Sequence, residues 1–172
     1  KTAPAFDAAL QFGAIAAGRY AEVAEVLHRY SEAVGIAYQI RDDLDDLRDD
    51  AGLNRGGPAR PSVVLALAAE RARGDDRTML QAIASGQQVE GITADAIRQA
   101  VAMAKADEKA ALLLESYKEQ AVRALDDLDD ASLKGLLRRV VARIFNELAF
   151  EGFCREAEHE RQQTQPAAAE ST

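Results

Sequence analysis

Apolar residues recur at intervals of three and four along most of this chain, which is the spacing of one face of an α-helix. The longest such pattern lies in the first third of the sequence, where the spacing continues for many turns without a break. It predicts one long amphipathic helix, with its inner positions at Val23, Val26 or Leu27, Tyr30, Ala33 or Val34, Ala37, Ile40, Leu44 and Leu47.

A shorter stripe precedes the long helix. Phe6, Leu10, Gly13 and Ala17 follow the same spacing, and Gly18 predicts the point at which this first helix ends. After the long helix, residues 51–61 contain three Gly and two Pro and are predicted to be a loop.

Further helices are predicted beyond residue 61. Ser62 is expected to cap a short buried helix, and Thr93 one that runs from Asp95 towards Ala106. A turn is predicted at 73–76, a helix at 79–83 and a second loop at 85–93. A last helix is predicted at 133–153. The helix predicted over 107–125 has its inner face at Ala111, Leu114, Tyr117, Ala121 and Leu125.

The composition agrees with an all-α protein. Hydrophobic residues make up 48% of the 172 residues and aromatic residues only 5%, while period-two runs of β-branched residues are lacking. We expect a globular domain over residues 1–154 and a polar, disordered tail over 155–172. The sequence starts at Lys1 rather than Met and enters a helical pattern at once, so we expect it to be a piece of a longer protein.

The net charge of -8 argues against nucleic acid or an anionic membrane surface as the main partner. It fits the binding of cations, either as metal ions or together with a phosphorylated substrate. No apolar run approaches the roughly 20 residues of a membrane span. A single cysteine, Cys154, predicts a reducing compartment and hence a cytoplasmic protein. His28 and His159 are too far apart to suggest a zinc site and are predicted to lie at the surface.

Two acidic clusters share the letters DDLDD: QIRDDLDDLRDD near residue 42 and RALDDLDDAS near residue 126. At about 100° per residue, Gln39, Asp42, Asp43, Asp46 and Asp50 fall within roughly one third of the circumference of the long helix, opposite its apolar stripe, whereas Asp45 points away. Magnesium prefers oxygen ligands and shares them with substrate phosphates, so D-D-x-x-D on one face predicts a Mg²⁺ site. The alternative is a solvated acidic helix end, and the spacing alone leaves both open.

The first cluster is expected to destabilise its own helix. Like charges one turn apart and acidic groups near a helix C-terminus are both unfavourable, and a bound cation would offset this cost. The second cluster is predicted to be structural, because Asp129 or Asp130 would be an N-cap of the next helix.

Five segments over about 1–145 carry a resemblance to a known family. They are KTA at 1–3, FGAIAAG at 12–18, VGIAYQIRDDLDD at 34–46, RPSVVLALA at 60–68 and the ending SYKEQAVRALDDLDDASLKGLLRRVVARI. In this order they resemble motifs of the trans-isoprenyl diphosphate synthases, the polyprenyl synthetase group.

The resemblance implies an all-α isoprenoid-synthase bundle, of which this chain is the C-terminal part. It implies a Mg²⁺-assisted condensation of an allylic diphosphate with isopentenyl diphosphate. Asp42, Asp43 and Asp46 would coordinate Mg²⁺, and Lys1 would neutralise phosphate oxygens. The remaining implied substrate-binding residues are Thr2, Gln39 and Arg60.

The resemblance also implies partners: the N-terminal half of the same bundle, which carries the first aspartate-rich motif, and a second copy in a homodimer. Residues 51–61 lack the Gly-Lys of the family, and Val64 stands where Pro is common. These departures favour a second hypothesis, a non-catalytic partner or regulatory subunit built on the same fold.

Overall fold

The computed structural model describes residues 2–48, 62–87, 89 and 91–145, and these residues form helices joined by turns. The all-α prediction is therefore confirmed. The chain divides into two compact units, residues 1–129 and 130–172. The first unit contains α1 (Thr2–Ala16), α2 (Tyr20–Arg48), α3 (Val63–Arg71), α4 (Gly74–Ala84), α5 (Ala94–Met103), α6 (Ala106–Ala124) and a 3₁₀ turn at Leu125–Asp127, and the second contains α7 (Ala131–Ile144).

Helices α1 and α2 form an antiparallel hairpin. The turn between them contains Gly18 with φ of +68°, which confirms the predicted helix end and explains why glycine stands there. Two hydrogen bonds show the antiparallel direction. Gln11 donates to the carbonyl oxygen of Ala24, and Asp7, one turn earlier in α1, bonds His28, one turn later in α2. The apolar stripe of α1 is rotated from the prediction, because Ala14 is buried while Gly13 and Ala17 are exposed.

The long helix is confirmed, and it extends over 29 residues. Its predicted inner positions are buried, apart from the half-buried Leu47 near the end of the helix. The C-terminal half of α2 packs into the main hydrophobic cluster of the first unit, which includes Ile40, Leu44, Val64, Leu65, Ala68, Leu80, Ile83, Ile97, Val101, Ala106 and Ala110. This cluster fixes the direction of the acidic end of α2.

Some predicted boundaries and faces were wrong. Residues 74–76 of the predicted turn belong to α4, which follows its N-cap residue Arg73 and has Asp75 and Asp76 in its first turn, where acidic groups stabilise the helix dipole. On α6 the inner position is Ala110, and Ala111 is exposed. The hydrophobic pattern places a face only to within about one residue, because each step rotates it by about 100°.

The capping predictions are confirmed. Ser62 and Thr93 accept bonds from the backbone N–H groups of Leu65 and Ala96. In the second unit α7 begins at Ala131, two residues before the prediction. The predictions for residues 51–61, 146–153, Cys154, His159 and the tail at 155–172 lie outside the described residues.

Across the described residues we find no helix with both the length and the apolar character needed to cross a membrane.

Candidate functional site

The predicted acidic face lies at the C-terminal end of α2, on the turns that follow the buried Ile40 and border the buried Leu44. Its members differ in exposure. Gln39 and Asp42 are exposed, Asp46 is half-buried, and Asp43 is only 7% exposed. The face is therefore not uniform: Asp43 lies at its inner edge, beside the core, and Asp42 at its outer edge.

Asp43 is held by two hydrogen bonds that use different oxygens. The amide Nε2 of Gln39 donates to Oδ1 over 3.0 Å, and the backbone N–H of Val63 donates to Oδ2 over 2.6 Å. Val63 is the first residue of α3, so the carboxylate meets the positive end of that helix. The structure thus brings together the predicted pair Gln39 and Asp43, and joins them to a residue that the sequence did not indicate.

The C-terminal end of α2 also has cations from the protein itself. The Nε of Arg98 in α5 donates to the carbonyl oxygen of Leu47 over 3.0 Å, and Arg48 pairs with Asp45 at 3.1 Å. Basic groups near a helix C-terminus stabilise its dipole. Part of the expected compensation of the acidic helix end therefore comes from arginines, so the repulsion among the aspartates is weaker support for a metal than the sequence suggested.

An aromatic contact connects α1 to this end of α2. The rings of Phe6 and Tyr38 meet edge to face at 6.4 Å between centroids, and the guanidinium of Arg41 lies 4.7 Å from the centre of the Tyr38 ring. Arg41 immediately precedes Asp42, so the stacking on Tyr38 holds a positive charge next to the acidic face. Arg41 is the candidate site residue that the sequence reasoning missed, although its position between Gln39 and Asp42 was a usable signal.

Thr2 is half-buried in the first turn of α1. The next residue, Ala3, packs against Gly35 of α2. Gly35 precedes Asp42 by seven residues, or on the order of 10 Å along the helix axis. The start of α1 therefore lies beside α2 about two turns from the acidic face. Of the other predicted substrate-binding residues, Gln39 belongs to the acidic face, and Lys1 and Arg60 lie outside the described residues.

The arrangement of the carboxylates determines how Mg²⁺ would fit this face. Over the described ranges, no group of three or more His, Cys, Asp or Glu side chains is arranged to hold a metal ion. Mg²⁺ does not need such a cage, because it is usually bound through one or two carboxylates, several waters and substrate phosphates. Asp42 and Asp46, one turn apart and more open to water than Asp43, fit that mode of binding.

The second acidic cluster has structural contacts. Asp127 pairs with Arg29 of α2 at 2.6 Å, which ties the 3₁₀ turn to the long helix. Asp130 accepts a bond from the N–H of Leu133 over 2.9 Å and is the N-cap of α7, as predicted. These contacts agree with the structural role predicted for this cluster.

One titratable pair joins α1 and α2. The hydrogen bond from Gln11 and then the one with His28 hold the pKa of Asp7 below its ordinary value. The hydrogen bond to Asp7 and its negative charge raise the pKa of His28, and Glu25 and Glu32 add to the rise. His28 is exposed, as predicted, but its ring nitrogen Nδ1 lies 3.1 Å from Asp7.

The described residues form an all-α protein in which α2 ends in an acidic face, and comparison with known proteins narrows that class. Residues 1–104, more than half of the chain, match the polyprenyl synthetase family. This chain belongs to that family.

One similar curated relative is the heptaprenyl diphosphate synthase component 2 of Geobacillus stearothermophilus, which is 29% identical over 141 residues, covering 80% of this chain and 44% of the relative. Another is the geranylgeranyl diphosphate synthase of Pantoea ananas, which is 36% identical over 72 residues, covering 42% of this chain and 24% of the relative. The chain thus spans less than half the length of the curated relatives it matches.

Solved structures share the fold. A decaprenyl diphosphate synthase from Rhodobacter capsulatus superposes with a TM-score of 0.71 at 24% identity, covering 86% of this chain and 47% of that one. A geranylgeranyl pyrophosphate synthase from Corynebacterium glutamicum, complexed with isoprenyl diphosphate and magnesium, superposes with a TM-score of 0.56 at 24% identity, covering 71% and 37%.

Proposed function

We propose that this chain supplies one acidic metal clamp of a trans-prenyl diphosphate synthase, which condenses an allylic diphosphate with isopentenyl diphosphate. One observation carries the proposal. Asp42 and Asp46 lie one turn apart on α2, the first exposed and the second half-buried, inside the segment that matches the polyprenyl synthetase family. The C. glutamicum enzyme, complexed with isoprenyl diphosphate and magnesium, supports the choice of ligand and ion.

Each residue has a distinct role in this proposal. Asp42 and Asp46 hold Mg²⁺, which when bound neutralises diphosphate oxygens and orients the leaving group. Lys1, Thr2 and Arg60 bind diphosphate oxygens, as the resemblance implies. Arg41, held over the Tyr38 ring, adds positive charge beside the carboxylates.

We further propose that other helices of the same bundle complete the site. The outward face of α1 supports this part. Phe12 is 71% and Ile15 56% exposed, and the remaining exposed residues of the helix carry no charge: Pro4, Ala5, Ala8, Ala9, Gly13 and Ala16. An uncharged helix face of this length is typical of a packing surface. The relatives are more than twice as long as the region they share with this chain, and in this proposal their additional residues correspond to the helices that cover this face. We also expect a homodimer, as the resemblance implies.

The alternative is a non-catalytic partner or regulatory subunit. It is favoured by the relative whose name describes it as component 2 of a synthase, and by the engagement of Asp43 in structural hydrogen bonds. A catalytic chain loses turnover when Asp42 is replaced, whereas a partner subunit would alter the turnover of another synthase even without that carboxylate.

The test is a prenyl-transfer assay with isopentenyl diphosphate, an allylic diphosphate and MgCl₂. It uses the 172-residue chain and a form extended by the remaining helices of the bundle. A longer prenyl diphosphate made by the extended form, and lost on removal of Mg²⁺ with a chelator, would support the synthase. If neither form gives product, but added chain changes the product of a separate synthase, the partner role is correct.

A further inference from the structure

We infer that Asp43 is a positioning residue: its buried carboxylate anchors the first turn of α3 to α2, without any metal. The resemblance implied that Asp43 is a metal ligand equal to Asp42 and Asp46. The two hydrogen bonds of Asp43 and its burial distinguish it from the more exposed Asp42 and Asp46. The anchoring role stands on those contacts alone, while its consequence for metal binding rests on the proposed function.

The position of Val63 explains why an anchor is needed. The first N–H groups of any helix have no partner within the helix. In α3 the hydroxyl of Ser62 accepts from Leu65 at 3.5 Å, which is at the long limit of a hydrogen bond. The bond from Val63 to Asp43 is 2.6 Å and has a charged acceptor, so it is the stronger of the two caps.

The anchor joins residues that are 20 positions apart in the sequence. Helix α3 carries Val64 and Leu65, which are 1% and 6% exposed and pack in the same core as Ile40 and Leu44. The carboxylate therefore acts at the edge of the core, where it fixes the entry of α3 beside the acidic end of α2. Gln39, one turn before Asp43, holds the other oxygen and so fixes the orientation of the carboxylate.

The same contacts leave Asp43 poorly placed to bind a hydrated ion. Both oxygens already accept a hydrogen bond, and the residue is only 7% exposed. Mg²⁺ gives up its waters reluctantly. Turning the carboxylate towards an ion would also leave the N–H of the half-buried Val63 without its acceptor, which costs free energy. Asp42 and Asp46 then form the ligand pair.

The experiment compares Asp43→Ala and Asp43→Asn with the adjacent Asp42→Ala as the matched control. Thermal unfolding and hydrogen exchange at the Val63 amide are measured without divalent metal, and Mn²⁺ binding is measured separately by titration calorimetry. In Asp43→Ala we expect a melting temperature lower by about 4 °C or more, and exchange at Val63 faster by about tenfold or more.

Asp43→Asn keeps an acceptor oxygen for Val63, so we expect it to restore most of the melting temperature and of the amide protection, and to retain Mn²⁺ binding. Asp42→Ala should leave both metal-free measurements unchanged and weaken Mn²⁺ binding. Should Asp43→Ala fail to fold, Asp43→Asn alone decides, because a pure metal ligand would lose Mn²⁺ binding in that variant and an anchor would not.

Two results would overturn the inference: unchanged exchange at Val63 in Asp43→Ala, or loss of Mn²⁺ binding in Asp43→Asn that equals the loss in Asp42→Ala. Failure of the proposed function looks different. In that case the wild-type protein binds no Mn²⁺, while the metal-free effects of the Asp43 variants remain and support the anchor.

Discussion

Gly35 of α2 lies directly against the backbone of Ala3 in α1. A β-carbon built on Gly35 would overlap the Cα, N and Cβ atoms of Ala3, so no larger side chain fits between the two helices without moving one of them. The contact sets how closely the start of α1 approaches α2. It therefore also positions the preceding residue Thr2, which is predicted to bind diphosphate together with Lys1.

The first prediction concerns this contact. Replacing Gly35 by Ala should destabilise the protein by about 1–3 kcal/mol, because forced overpacking exceeds the gain of up to about 1 kcal/mol in helix propensity. The free energy of unfolding, measured with urea, checks it. Gly13 provides the control, since nothing lies within 4 Å of its β-position. Gly13→Ala should therefore stabilise by roughly 0.5–1 kcal/mol. Equal behaviour of the two variants would contradict the close packing.

The second prediction is a pH dependence at the Asp7–His28 pair. The pKa of His28 is raised in the folded protein, so its contribution to stability is complete below its ordinary value of 6.5 and is lost as the pH rises through the folded value. The pKa of Asp7 is lowered, so its contribution is present above its ordinary value of 3.8 and is lost as the pH falls through the folded value. The pair should stabilise most between these two limits.

His28→Gln measures the size of this effect. Because His28 is exposed, we expect the variant to be less stable by only about 0.2–1 kcal/mol near pH 5, with a difference that shrinks above pH 6.5 and in high salt. Urea unfolding of both proteins across the pH range provides the data. A difference that grows as the pH rises above 6.5 would show that the charged pair is not its source.

The third prediction tests the structural role of the second acidic cluster. Asp130→Ala removes the side-chain cap of α7 and should cost about 0.5–2 kcal/mol. Ser132, two residues later and exposed inside the first turn, is the control, and Ser132→Ala should change the stability by no more than about 0.5 kcal/mol. The helical signal of the protein during urea unfolding provides the measurement. Equal stabilities of the two variants would mean that Asp130 does not cap the helix.

The long-range contacts mark the limit of what the sequence could predict. The length and inner face of α2, the helix end at Gly18 and the caps at Ser62, Thr93 and Asp130 all follow from local spacing and backbone chemistry, and the structure has them. These features depend on residues at most a few positions apart, so a single sequence contains the information.

The partner of Asp43 could not be found in that way. Asp42 and Asp43 are the same residue type on the same predicted face. What distinguishes Asp43 is its hydrogen bond from the N–H of Val63, which lies 20 positions later in the sequence. The same is true of Arg98, whose bond to the carbonyl of Leu47 spans 51 positions and reduces the need for a metal at the helix end. Tertiary packing decides such contacts, and helical periodicity does not contain them.

The last prediction addresses the proposed chemistry. In the extended form of the proposed synthase, Asp42→Ala should lower the turnover of isopentenyl diphosphate by on the order of 100-fold or more, because it removes a carboxylate proposed to hold charge-neutralising Mg²⁺. Far-ultraviolet circular dichroism should stay unchanged, since Asp42 is exposed and lies outside the core. Asp126→Ala, at an exposed aspartate of the second cluster, should leave turnover within about twofold. Product formation, followed with radiolabelled isopentenyl diphosphate, distinguishes the two clusters. A comparable loss in Asp126→Ala would show that the first cluster is not the one specifically needed for turnover. Full turnover in Asp42→Ala would contradict the assignment of Asp42 as a metal ligand.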